Sequence, residues 1–240
     1  MTPFAALHRP GDPLLLPNVW DVAGARALAA AGFAAVGTTS LGVAASHGLP
    51  DGEDAAVPET LRLVARLAPL GLHVSADIER GSVAAAVTAA EAGAVGVNVE
   101  DAMCDPEVHA ALIRGVKREA PELFVNARTD THWLRPGDLP EALRRARRYQ
   151  DAGADGIFVP GVSDASEISA LVEALDVPLN VLAQAGGPVL PELAGLGVAR
   201  VSMGSLLFRA ALAAAVETAE AVRRAEPVRA GLPSYQDVNG

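Results

Sequence analysis

A chain of 240 residues, half of them hydrophobic, can bury a sizeable core, and a net charge of -10 with a pI near 4.9 leaves no basic surface to set against phosphates or an anionic membrane. The N-terminus lacks a charged stretch followed by an apolar one, and no apolar run reaches the roughly 18 residues of a membrane span, so a cytoplasmic protein with a small-molecule ligand is expected. Cys104 is the single cysteine, which excludes an internal disulfide and a thiolate zinc cluster.

Taken in chain order, four segments share one cadence: AAGFAAVGT (30–38), EAGAVGVNV (91–99), DAGADGIFV (151–159) and GLGVARVSM (195–203). In each, an Ala- and Leu-rich stretch at helical spacing meets a Gly where a helix C′ residue belongs, and a short apolar run follows. With the other apolar runs, strands are expected near 14–17, 33–37, 72–76, 94–98, 122–126, 156–159, 178–182 and 198–202, each with a helix after it. Eight β/α units in 240 residues fit one closed (β/α)8 barrel of the TIM type, spanning residues 1–240 as a single domain. An open doubly wound sheet is the alternative, but no GxGxxG or GxxxxGK[ST] loop follows any strand. The tail, LPSYQDVNG, reads as loose.

In a barrel the chemistry sits at the C-terminal ends of the strands. Past the second strand come Thr38, Thr39 and Ser40, then a long loop with His47, Asp51 and Glu53; past the third, Asp77 and Glu79; past the fourth, Glu100 and Asp101; past the fifth, Arg128, Asp130 and His132. Acids crowded at one barrel mouth repel one another, and a hard divalent cation removes that conflict. Mg2+ suits it, since it prefers oxygen ligands and is held by one or two carboxylates plus substrate. The alternative is that these acids are solvated or pair with Arg80 and Arg128. Arg128 adds a planar fork suited to a carboxylate, so metal plus Arg describes a site for a small oxyacid; the competing reading is a structural pair with Asp130. Lys117, the only lysine, falls in the helical stretch 108–119, so Schiff-base chemistry is excluded and carbonyl chemistry must be metal-assisted. His47 and His132 read as surface histidines, ALRRARRYQ as a solvated helix face, and the glycines of AQAGGP as a turn before Pro188. Trp20 and Trp133 require no functional role.

The stretches PNVWDVAGARALAAAGF, FVNARTD, GADGIFVPG and GVARVSMGSLLFRAAL together resemble the isocitrate lyase/phosphoenolpyruvate mutase superfamily over nearly the whole chain. The resemblance implies a Mg2+-dependent barrel, with Mn2+ able to substitute, that makes or breaks C–C or P–C bonds in 2-oxo and 2-hydroxy acids through an enolate. It places Thr39 and Ser40 in the substrate-binding segment, the former and latter offering backbone N–H groups and a hydroxyl. Asp51 matches the loop aspartate near the reacting centre, Asp77 and Glu79 the DxD or DxE metal motif, Glu100 the next metal-shell acid, and Arg128 the substrate-binding arginine.

Departures narrow the activity. After Glu100 the chain reads EDAMCDPEVHAAL where lyases carry KKCGH or KRCGH and mutases an Asn-containing gate, and the 27 residues between Glu100 and Arg128 leave little for a lid. Cys104 lacks the neighbours that would activate a thiolate. Pro160 stands where mutases carry His, and Arg80 and Ser82 replace the usual residues around Gly81. A lyase or decarboxylase acting on a small oxyacid is therefore expected; a phosphoenolpyruvate or carboxyvinyl phosphonate-type mutase and a non-catalytic metal- and oxyacid-binding barrel are the alternatives. The final helical stretch, SLLFRAALAAAVETAEAV, predicts a homodimer or homotetramer, as the C-terminal helices of the superfamily imply.

Overall fold

The computed structural model describes residues 1–134 and 138–239. Nine parallel strands run in chain order as β1 (Leu14–Leu16), β2 (Asn18–Val19), β3 (Ala35–Thr38), β4 (His73–Asp77), β5 (Gly96–Glu100), β6 (Phe124–Arg128), β7 (Gly156–Phe158), β8 (Leu179–Leu182) and β9 (Arg200–Ser202). They form one sheet in the order β1-β9-β8-β7-β6-β5-β4-β3-β2. Its two ends, β1 and β2, are halves of one strand interrupted at Pro17, which has no N–H to donate but whose carbonyl accepts from Gly37 N at 2.9 Å. The sheet thus closes on itself as the expected (β/α)8 barrel.

The strands alternate with helices: α1 (Val22–Ala30) after β2, α2 (Ser40–Ser46) and α3 (Val57–Leu67) after β3, α4 (Val83–Glu91) after β4, and α5 (Pro106–Glu119) after β5. Then come α6 (Thr131–Leu134) and α7 (Leu139–Asp151) after β6, α8 (Ala165–Ala174) after β7, α9 (Leu190–Gly195) after β8, and α10 (Leu206–Arg223) after β9. The tail carries a further short helix, Tyr235–Asn239, where a loose segment was expected. No helix among the described residues is long and apolar enough to cross a membrane.

The repeated cadence is a helix-ending motif. Gly32, Gly93, Gly153 and Gly197 have φ of 91°, 104°, 100° and 85°, which an L side chain rarely adopts. The residue after each glycine returns its N–H to a carbonyl five residues back: Phe33 to Leu28, Ala94 to Ala89, Ala154 to Tyr149 and Val198 to Leu193, at 2.9–3.1 Å. That turn consumes the residues just past the glycine, so β3, β5 and β9 begin about two residues later than the apolar runs do.

Outward-facing residues such as Val74, Val97, Val125 and Ile157 pack against Ile113, Val116, Tyr149 and Ile168 of the helices. The inward face is different. Register pairs Asp77 with Asn98 and Asn98 with Asn126; a second row joins Glu100, Arg128, Phe158, Asn180 and Arg200. Barrel interiors are usually filled by Val, Ile and Leu. Here Asn18, Ser75, Asn98, Asn126, Asn180, Arg200 and Ser202 are all buried. The floor is closed by Phe4, His8 and Phe124, with the His8 ring stacked on Phe124 at 4.3 Å. Between this plug and the strand ends lies a polar chamber.

Candidate active site

A cavity of about 270 Å³ opens at the C-terminal ends of the strands, and Thr39, Ser40, Asp51, Asp77, Glu100 and Arg128 all line it. Asp77 ends β4, with Oδ2 accepting from Ser40 N and Oδ1 from Asn98 Nδ2, each at 3.3 Å. Glu100 and Arg128 are register partners, and Arg128 Nη1 lies 2.8 Å from Glu100 Oε2. The guanidinium also reaches Asp130 Oδ1 at 2.6 Å, so the pairing with Asp130 exists alongside the cavity position. Burial pushes the Glu100 carboxyl up to about 8, against the pull of Arg128, and the nearby Asp77 and Asp130 charges push the same way. Asp130 is raised by burial too. The mouth therefore holds more negative charge than Arg128 neutralises.

The donors at β3 differ in part from expectation. Thr39 N–H is taken by the Val19 carbonyl at 3.1 Å, and its Oγ1 accepts from Gly42 N as the cap of α2, which leaves its hydroxyl hydrogen to offer. Ser40 N–H is engaged with Asp77.

Glu79 does not line the cavity. The strand ends at Asp77, and Glu79 takes a left-handed φ of 56°, so side-chain alternation no longer carries it to the inner face. It is 1% exposed. Its Oε2 accepts from Asp54 N at 2.5 Å, while Asp54 Oδ1 accepts from Arg80 N at 3.0 Å and Gly81 N at 3.2 Å. The two loops thus clasp each other, and the clasp holds the segment bearing Asp51. Asp54 escaped sequence reasoning, because nothing local ties it to residues 79–81; the only signal is its place in the acidic GED triplet of the loop. Glu79 Oε1 is buried without a hydrogen-bond partner, and burial raises its carboxyl, opposed by the Asp54 N–H and helped by Asp51 and Asp77.

Other residues move from surface to structure. Asp101 is a buried hub: Oδ1 accepts from Met103 N and Asp130 N, both at 3.0 Å, and Oδ2 from Tyr149 Oη at 2.7 Å and Arg145 Nη1 at 2.9 Å. Arg145, expected on a solvated helix face, is 5% exposed because this partner lies inside. His132 is also buried, with Nε2 3.2 Å from Glu167 Oε2. His47 bonds the Val43 carbonyl through Nδ1 and stays off the cavity wall. Trp133 and Leu134, given no role from sequence, border the mouth. Cys104 is exposed, and its thiol is raised by burial and then by Asp101, the opposite of activation.

Among the described residues, no group of three His, Cys, Asp or Glu side chains is drawn together to hold a metal by itself. Asp77 and Glu100 nevertheless face one cavity from paired strands, Glu79 has an orphaned carboxylate oxygen behind them, and burial disfavours the charge on Glu100. Two carboxylates facing one cavity, of which Glu100 shares Arg128 with Asp130, leave room between them for water and a ligand and fit an ion of the magnesium type.

A family model described as phosphoenolpyruvate phosphomutase matches residues 4–223. An uncharacterized protein of Mycobacterium tuberculosis is 44% identical over 239 residues, covering 96% of this chain and 92% of that one. The 2-methylisocitrate lyase of Bacillus subtilis is 31% identical over 73% of this chain and 64% of its own length. A crystal structure described as that of a "putative lyase/mutase" from Burkholderia cenocepacia superposes with a TM-score of 0.86 at 39% identity, covering 98% of this chain and 92% of that one. With the strand-end residues in place and the match running almost end to end, the chain belongs to the phosphoenolpyruvate phosphomutase family, within the isocitrate lyase/phosphoenolpyruvate mutase superfamily.

Proposed function

We propose that the chain is a Mg2+-dependent lyase or decarboxylase that cleaves a carbon–carbon bond in a small 2-oxo or 2-hydroxy acid through an enolate. The observation that carries this reading is the convergence of Asp77, Glu100 and Arg128 from three adjacent strands on one cavity, with Asp51 at its edge. Asp77 and Glu100, with Glu79 behind them, would hold Mg2+ or Mn2+, which would supply Lewis-acid stabilisation of enolate charge. The chain's own residues do the rest. Arg128 presents a fork to the substrate carboxylate. The Thr39 and Ser40 hydroxyls donate to charge that develops in the transition state. Asp51, exposed on its loop and facing the cavity, moves the proton.

The short loop 101–105 favours this reading over a mutase. Ala102 N is bonded to Asp130 Oδ2 at 3.1 Å and Met103 N to Asp101, so the loop is tied down beside the mouth. A mutase has to shield its reactive fragment from water, whereas decarboxylation or retro-aldol cleavage tolerates a more open site. The likeness to 2-methylisocitrate lyase agrees with C–C cleavage. A homodimer or homotetramer belongs to the same reading, since α10 leaves Leu212 and Val216, one turn apart, 53% and 62% exposed. A turnover screen of small 2-oxo and 2-hydroxy acids, including oxaloacetate and methyl-substituted malates, with and without Mg2+, tests the function. Metal-dependent product supports it; binding without product from any acid favours a barrel that only binds.

A further inference from the structure

Arg200 opens β9 and points into the polar chamber, where it lines the cavity while only 3% exposed. Its Nε and Nη1 are buried with no hydrogen-bond partner. A charged guanidinium in such surroundings is among the costliest groups a fold can carry unless a counter-charge meets it. Two more buried groups are also unpartnered: Nδ2 of Asn180, the register neighbour of Arg200 on β8 and just outside the cavity lining, and Oγ of Ser75 on β4, which lines the same cavity as Arg200. Each of these orphaned atoms can donate a hydrogen bond. Orphaned donors around one cation describe a site for an anion rather than for a cation or an apolar group.

We propose that Arg200, with Asn180 and Ser75, forms a second anion subsite on the floor of the cavity that takes the distal carboxylate of the substrate, which is therefore a short dicarboxylic acid. The register row supports the spacing. Arg128 and Arg200 occupy one row on β6 and β9, three strand intervals apart, or about 14 Å along the wall at the usual interstrand spacing. Both side chains line the one cavity of about 270 Å³, which a short diacid held at each end would span. Burial pulls Arg200 down to about 9, and Asp77 is the charge that opposes this. A bound carboxylate would oppose it from closer range.

The identification of the ligand as substrate rests on the proposed function; the existence of the subsite does not. Calorimetry and thermal shift with succinate, propionate, inorganic phosphate and Mg2+-oxalate as probes separate the two. Wild type is expected to bind succinate at least about tenfold more tightly than propionate, without metal. Arg200→Met should lose at least about tenfold in succinate affinity, keep Mg2+-oxalate affinity within about twofold, and melt higher than wild type in the absence of ligand. Arg200→Lys, which keeps the charge and loses the fork, and Ser75→Ala give the same readout at lower cost to folding; each should weaken succinate and spare oxalate. Succinate affinity unchanged within twofold in these variants, or no preference for succinate over propionate, overturns the proposal. Phosphate binding as tight as succinate would make the subsite one for an inorganic anion and also overturn it. If succinate binding depends on Arg200 while Mg2+-oxalate does not bind at all, the subsite stands and the lyase reading falls.

Discussion

Arg128 and Glu100 are register partners on β6 and β5, and their side chains meet at 2.8 Å on the wall of the cavity. One guanidinium therefore serves three groups, because the same fork holds Asp130 and faces the ligand space. Lysine keeps the charge but cannot hold this geometry. Arg128→Lys is expected to raise KM by about tenfold or more, the loss of one charge-assisted hydrogen bond worth roughly 1.5–3 kcal/mol. Steady-state kinetics checks this, and an unchanged KM would remove Arg128 from substrate binding.

The clasp between Glu79 and Asp54 gives two separable expectations. Asp54→Ala removes the acceptor for Arg80 N and Gly81 N, frees the loop that carries Asp51, and should lower kcat with little change in oxalate affinity. Glu79→Gln keeps an acceptor for Asp54 N while removing a buried charge, so the fold should be no less stable by chemical denaturation. If Glu79 also supports the metal through water, the same variant weakens Mg2+ affinity by about tenfold or more, as outer-shell changes do. Unchanged Mg2+ affinity would confine Glu79 to the clasp.

Acid sensitivity follows from the buried histidines. Burial, with Arg200 adding to it, lowers His8 to about 3, and burial lowers His109 to about 4, both from 6.5. Their folded pKa values lie below the unfolded one, so each contributes stability that is complete above pH 6.5 and is lost as pH falls toward the folded value. The slope is about 1.4 kcal/mol per pH unit for each histidine in that window. Glu100 runs the other way, since its folded pKa of about 8 makes its contribution fade as pH rises from 4.5 toward 8. His8→Phe, which preserves stacking on Phe124, should gain Tm relative to wild type progressively as pH falls from 6.5 to 4. A difference in Tm that stays constant across that range would contradict the assignment.

Light scattering is expected to report a dimer or tetramer at working concentration. Leu212→Glu with Val216→Glu should shift the mass toward the monomer without unfolding the barrel, since both side chains already face outward. A monomeric wild type would leave α10 covering only its own barrel.

Much of this was legible in the sequence, for identifiable reasons. The barrel showed because four helices end in the same glycine turn, a local signal that repeats, and the lag of the strands behind the apolar runs comes from the residues that the turn uses. Asp77, Glu100 and Arg128 were legible because each directly ends a strand, where position alone dictates the outcome. That Glu79 sits off the cavity wall was not legible, because an alternation of two holds only while the strand continues, and β4 stops at Asp77. Arg145 was misread because its partner Asp101 lies 44 residues away, beyond the reach of any helical pattern. The polar chamber around Arg200 was invisible for the same reason: strand periodicity shows which residues face inward, but not what they find there.

The most direct test of the central claim is product formation from the best-cleaved acid of the panel, followed with Mg2+, with chelator, and in two variants. Wild type should turn over with Mg2+ or Mn2+ and lose activity with chelator, Asp77→Asn should fail to recover it on adding metal, and Asp51→Asn should lower kcat by roughly 10²–10⁴ at little cost in oxalate affinity. Full turnover in the presence of chelator, or no turnover of any acid by wild type with metal bound, would contradict the account.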